Sequence, residues 1–160
     1  MFVSTLVMKK YMKERSGYSR LVLSVLFFAS CNELYNHPLG NNLSIWDGDK
    51  KEDKVIVYCT GNCHGGIYMV PTYDRHYDSR GNYAEYLETA DSDKKWVIAK
   101  TLLIKENKEN YWIISKDFDI DDLDCGKVNC DSILQRHVVG PLSLNEFKDR
   151  KRTLGIAMDF

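Results

Sequence analysis

The chain has 160 residues, with 22 Lys and Arg against 23 Asp and Glu, a net charge of −1, and five cysteines. It lacks the basic excess that binding to nucleic acid or anionic lipid requires. With 44% hydrophobic and 12% aromatic residues and three prolines, composition also excludes a disordered chain.

The first element is a leader. Residues 21–31 read Leu-Val-Leu-Ser-Val-Leu-Phe-Phe-Ala-Ser-Cys, an uncharged run after a basic segment that ends in Ala29-Ser30-Cys31. This is the pattern of a secretory signal with small residues at its cleavage point. The run is too short to span a bilayer, which takes about 20 apolar residues. The cysteine after the small residues resembles the lipobox of bacterial lipoproteins. That resemblance implies cleavage of residues 1–30, acylation of Cys31 (diacylglycerol and an amide-linked chain such as palmitate), and a protein lipid-anchored in the cell envelope, at the outer membrane. Phe28 stands where lipoboxes usually carry Leu. Met8, directly before Lys9-Lys10, makes a second candidate start beside Met1. Five of the 22 basic residues and one of the 23 acids lie in residues 1–30, so the 130 residues that remain carry 17 and 22, a net charge of −5.

Residues 31–42 are polar and rich in turn formers, and are expected to be a tether. Residues 43–160 are expected to form one domain, large enough to bury a core. Leu43-Ser44-Ile45-Trp46 predicts a short strand closed by the turn Asp47-Gly48-Asp49. Val55-Ile56-Val57-Tyr58-Cys59 predicts a stronger one, rich in β-branched and aromatic residues. Ile67-Tyr68-Met69-Val70 predicts a third, ended by Pro71. Residues 73–83 read as a polar, aromatic loop, and Tyr86 and Leu87 fit no assigned element. Residues 96–104 predict a central strand with both faces covered, returning through a charged turn to Tyr111-Trp112-Ile113-Ile114. Residues 117–133 are acidic, and residues 135–139 predict a further short strand.

A helix follows. Ser143 is its N-cap, Glu146 completes a capping box, and Leu142 and Phe147 form a hydrophobic staple. Leu144, Phe147 and Leu154 should face the sheet, Gly155 should stop the helix, and Ile156, Met158 and Phe160 should alternate in a last strand. The fold class is therefore α+β: a mostly antiparallel, meandering sheet with one C-terminal helix packed on it. A β-sandwich with a peripheral helix is the alternative.

Tyr111-Trp112-Ile113-Ile114, then Gly140-Pro141-Leu142, then Glu146-Phe147 with Arg150 resembles the C-terminal signature of an uncharacterised family of small bacterial lipoproteins. The likeness runs from about residue 43 to the end, together with the leader. It implies no activity, cofactor or catalytic residue.

Candidate sites are few. Setting Cys31 aside, Cys59, Cys63, Cys125 and Cys130 remain, an even number that outside the cytoplasm reads as two disulfides. Their spacings favour Cys59 with Cys63 and Cys125 with Cys130, although three pairings are possible. Zinc held by the same cysteines with His64 is the competing reading, and it opens the alternative of a metal-binding protein or periplasmic hydrolase. Asp117, Asp119, Asp121 and Asp122 start like a calcium loop, but a calcium loop needs Gly where Asp122 stands. Asp74, His76 and Asp78 place titratable groups together without a sign of a pocket. No catalytic motif occurs, so no enzyme, no metal and no cofactor are expected. Tyr68, Tyr73, Tyr77 and Tyr83, with Tyr86, cluster in sequence. They are the candidate binding residues of an accessory module for an envelope protein or glycan partner, with no role for nucleic acid.

Overall fold

The computed structural model describes residues 36–61, 63–71 and 80–160. The leader, Cys31, the first part of the expected tether, Tyr73, Tyr77 and the Asp74–His76–Asp78 group lie outside the described residues. Asn36–Phe160 forms one compact unit.

The unit is mostly antiparallel β-structure with a C-terminal helix, an α+β arrangement. Its strands divide into two four-stranded sheets rather than the one sheet expected. The first holds β1 (Asn36–Gly40), β2 (Leu43–Trp46), β3 (Val55–Thr60) and β4 (Gly65–Val70) in that order. The second holds β5 (Glu85–Ser92), β6 (Trp96–Leu103), β7 (Lys108–Ser115) and β8 (Val138–Leu142). Among the described residues each pairing of these strands is antiparallel and joins sequence neighbours.

The stretch expected as a tether contributes β1. Asn41 and Asn42 have φ of 51° and 57°. Asn tolerates that left-handed geometry, which the two-residue turns matching strand twist demand. Asn41 Nδ2 then donates to the carbonyls of Lys116 (2.9 Å) and Phe118 (3.1 Å), tying the hairpin to the chain beyond β7.

One core lies between the sheets. Leu43, Ile45, Ile56, Tyr58, Met69 and Val70 of the first sheet meet Leu87, Val97, Ala99, Trp112 and Ile114 of the second in a single buried cluster. Within it the Trp112 indole N–H donates to Thr101 Oγ1 at 2.8 Å. The Thr101 hydroxyl donates to Glu85, which also accepts from Asn110 Nδ2 at 3.0 Å. This network joins β5, β6 and β7, and each polar group in it has a partner, as a buried site requires.

The other face of β6 and β7 is covered by α2 (Leu144–Leu154). Ile98, Tyr111, Ile113, Phe147 and Ile156 are buried there. The helix has the expected Ser143 N-cap, the Glu146 capping box and the Gly155 stop at φ 67°. Leu144 and Leu154, expected against the sheet, are 44% and 37% exposed. They share Phe147's stripe at i−3 and i+7, but Phe147 is the residue of the helix that is buried. Residues 156–160 form no strand. Ile156 is buried, and Phe160 stacks on Phe147 at 5.9 Å between ring centroids.

A short helix, α1 (Cys130–Gln135), precedes β8 and occupies the start of the stretch expected as strand. Asn129 caps it by accepting from the Ser132 amide at 2.9 Å. Its Cys130 and Leu134 are buried in the core between the sheets.

Candidate functional site

Strand alternation decides where the candidate aromatics go. Leu43, Ile45, Ile56, Tyr58 and Met69 face the core between the sheets, so their neighbours Trp46, Val55, Val57 and Tyr68 belong to the opposite face of the first sheet. Trp46 pairs with Val55, and Val57 with Tyr68. Gly66, two residues before Tyr68, lies under the Trp46 indole. A Cβ there would sit 3.2 Å from Cζ2 and Cη2 of that ring.

The eight-residue connection from β2 to β3 forms a wall beside this face. It turns at Asp47-Gly48-Asp49 and continues through a one-turn 3-10 helix, Lys51–Asp53. Asp53 Oδ2 accepts from the Lys50 amide at 3.1 Å. Gly48 packs so closely on Asp53 that a Cβ would meet the Asp53 Cβ at 2.2 Å. Only glycine lets the turn close on that carboxylate.

Between these parts lies an open cleft of about 340 Å³, lined by Trp46, Asp47, Gly48, Asp49, Asp53, Val55, Tyr68 and Tyr83. Two of the candidate tyrosines, Tyr68 and Tyr83, are thus brought together, although 14 residues separate them in sequence. Tyr86 is not part of the cleft. It is 4% exposed, with Lys51 Nζ 5.0 Å from its ring centre. Sequence reasoning missed Trp46 and the three aspartates as site residues. The available signal was an aromatic residue at a strand end followed directly by Asp-Gly-Asp.

Charge around the cleft is distributed unevenly. Asp47 pairs with His37 Nε2 (3.1 Å) and Lys54 Nζ (3.6 Å). The other bases of the connection point elsewhere: Lys50 Nζ bonds Asn82 Oδ1 at 3.4 Å, and Lys51 lies over Tyr86. Among the described residues the lining therefore carries three carboxylates and no basic side chain. The Trp46 Nε1 atom is shut off from solvent and has no hydrogen-bond partner among the described residues.

The cysteines form Cys59–Cys63 and Cys125–Cys130 disulfides, with Cα–Cα separations of 4.5 and 5.4 Å. Sulfurs bonded to each other offer no thiolate to zinc, and His64 is exposed beside the first pair. The first disulfide clips the turn between β3 and β4, and the second clips the start of α1. Neither belongs to the described lining of the cleft.

The acidic stretch is used as a packed edge. Asp121 Oδ1 accepts from the Tyr58 hydroxyl and from Asn42 Nδ2 (2.9 Å), and Asp119 Oδ1 accepts from the Asp121 amide (3.1 Å). Burial, followed by the bond to Asp121, pushes the Tyr58 hydroxyl pKa up. Ile120 is 4% exposed, and Phe118 packs edge-on to Tyr58 at 5.9 Å. Among the described residues no group of three or more His, Cys, Asp or Glu is placed to hold a metal ion, and no helix is long and apolar enough to cross a membrane.

No protein-family model, no curated protein and no solved structure matches the chain.

Proposed function

We propose that this protein is a non-enzymatic lipoprotein of the bacterial cell envelope that works as a binding module, with its aromatic cleft as the binding site. In this reading residues 1–30 are a removed leader, and Cys31 carries the lipid that holds the protein at the outer membrane. Residues 36–160 act as a single domain of meandering strands, and the protein belongs with the small lipoproteins whose C-terminal signature it resembles. The observation that carries the binding role is the convergence of Trp46, Tyr68 and Tyr83 on one cleft rimmed by carboxylates. The three rings are half-buried, and partly exposed aromatics beside polar groups are what recognition sites concentrate. A lipid anchor would confine such a site to the membrane surface, where its partner would be met.

The reading has two separable tests. Wild-type protein should partition with membranes, and Cys31→Ala should stay unprocessed or become soluble. Identical processing and partitioning of the two forms removes the anchor. Envelope extract passed over immobilised wild-type protein should leave a bound component that Tyr68→Ala and Tyr83→Ala, each shown to be folded by circular dichroism, retain at no more than about a tenth of the amount. Equal retention by both variants removes the cleft from the binding role.

A further inference from the structure

We infer that the cleft's ligand carries an organic ammonium group, a cationic nitrogen wrapped in methyl or methylene groups; this deepens the binding reading above and rests on it.

Three observations point to that chemistry. The first is the pairing of rings with acids. Trp46, Tyr68 and Tyr83 line the same space as Asp47, Asp49 and Asp53. Aromatic rings attract cations through their quadrupoles, most strongly for tryptophan, and carboxylates attract the same charge directly.

The second is the placement of the surrounding bases. His37 and Lys54 are spent on Asp47, Lys50 on Asn82, and Lys51 on Tyr86. Asp49 and Asp53 are left without a basic side chain bonded to them among the described residues, and Asp53's bond is to the Lys50 backbone amide. An anionic ligand would meet uncompensated carboxylates.

The third is the spread of the acids. They do not gather as a metal site; they edge a space of about 340 Å³, within the range that small organic ligands occupy. A bare divalent ion needs converging oxygens at short distance. A bulky ammonium spreads one charge over a surface, which suits separated carboxylates and ring walls together. A neutral sugar would want hydrogen-bond donors interleaved with acceptors. Among the described lining residues the polar side chains are three carboxylates, which only accept, and two phenols, while the Trp46 N–H is shut off from solvent.

The test uses full-length protein in detergent, followed by tryptophan fluorescence and calorimetry. Three probes are titrated: choline chloride, its neutral isostere 3,3-dimethylbutan-1-ol, and a neutral N-acetylglucosamine trisaccharide. Choline should bind saturably and at least about tenfold more tightly than the neutral isostere, which is roughly the weight of one desolvated cation–π or charge contact. Asp49→Asn with Asp53→Asn, which keeps side-chain size, should weaken choline about tenfold or more. Glu106→Gln, an exposed acid on the β6–β7 turn, should leave it unchanged. Binding of the isostere as tight as that of choline, or insensitivity to the paired Asn variant, overturns the cationic assignment. Binding of the trisaccharide alone also overturns it, while the cleft keeps its role as a binding site. Absence of saturable binding by all three probes overturns the assignment. If the envelope component is then still captured through Tyr68 and Tyr83, only the ammonium inference has failed; if that capture fails too, the binding reading goes with it.

Discussion

At the residue scale, two glycines with left-handed backbone show how differently the same substitution is expected to act. Gly140 has φ 151°, and a Cβ there would stand 2.5 Å from Cε3 of Trp112 and 2.9 Å from the Tyr111 carbonyl oxygen. Trp112 is 2% exposed and holds Thr101 by its indole N–H, so it has no space into which to yield. Gly155 has φ 67° with nothing within 4 Å of a Cβ. Gly140→Ala should therefore cost about 2–4 kcal/mol of unfolding free energy, through steric overlap and strain together. Gly155→Ala should cost only about 1 kcal/mol, the left-handed penalty alone. Urea unfolding of the two variants measures the difference. Equal losses would mean that Trp112 can move aside.

At the element scale, the two disulfides do different structural work. Cys59–Cys63 closes a hairpin turn whose strands are already paired, and Cys59 and Cys63 are both partly exposed. Cys125–Cys130 fixes the start of α1, which is only six residues long. A helix that short has no stability of its own in water, and its attachment depends on Cys130, at 3% exposure, and on the fully buried Leu134. Each clip closes a loop of a few residues, worth roughly 2 kcal/mol in the chain-entropy account. Replacing the first pair by Cys59→Ala with Cys63→Ala should lower stability by about that amount and leave the fold intact. Cys125→Ala with Cys130→Ala should cost more, about 3–4 kcal/mol, because it also opens a cavity in the core. Hydrogen exchange should then quicken first in residues 130–135. Uniform quickening across β6 and β7 instead would show that α1 is not an independent unit.

At the scale of the whole molecule, stability should fall in acid. The Ser143 hydroxyl and amide hold the Glu146 carboxyl below its usual range, and the Tyr111 hydroxyl, then Lys100, do so for Glu109. The amides of Lys95 and Trp96 do the same for Asp93. A carboxyl whose folded pKa lies below its unfolded value binds fewer protons when folded. Its contribution is complete above the unfolded value, about 4, and is lost as pH falls through the folded value. These groups are exposed, so each effect is small and they act as a sum. The gap in unfolding temperature between wild type and Glu146→Gln should close as pH drops from about 6 to about 3. A gap that stays constant over that range would show that the capping carboxylate contributes no charge-dependent stability. Tyr58 and Tyr111, whose pKa values are pushed up first by burial, add stability that is lost as pH rises through those values. Lys116 works against this trend, because burial lowers its pKa, and its cost is relieved as pH rises.

Local pattern alone determined the best-read parts of this protein. Short β-branched and aromatic runs bounded by turn residues marked β2, β3, β4, β6 and β7, and the capping box, staple and glycine stop marked α2, because each of those signals lies within a few residues of chain. The β1 hairpin was hidden because Asn41-Asn42 reads equally as a tether. β5 was hidden because Glu88, Thr89, Asp91 and Ser92 dilute its apolar residues, and what holds it is pairing with β6 rather than propensity. Tertiary structure alone decided that the strands split into two sheets, and hence which face of β2 and β4 was left over for Trp46 and Tyr68. It also decided that Tyr83 joins them while Tyr86 is buried, and that Leu144 and Leu154 stay exposed. The physical reason is the same in each case: periodicity specifies that a face will be covered, but what covers it depends on residues far away in the chain.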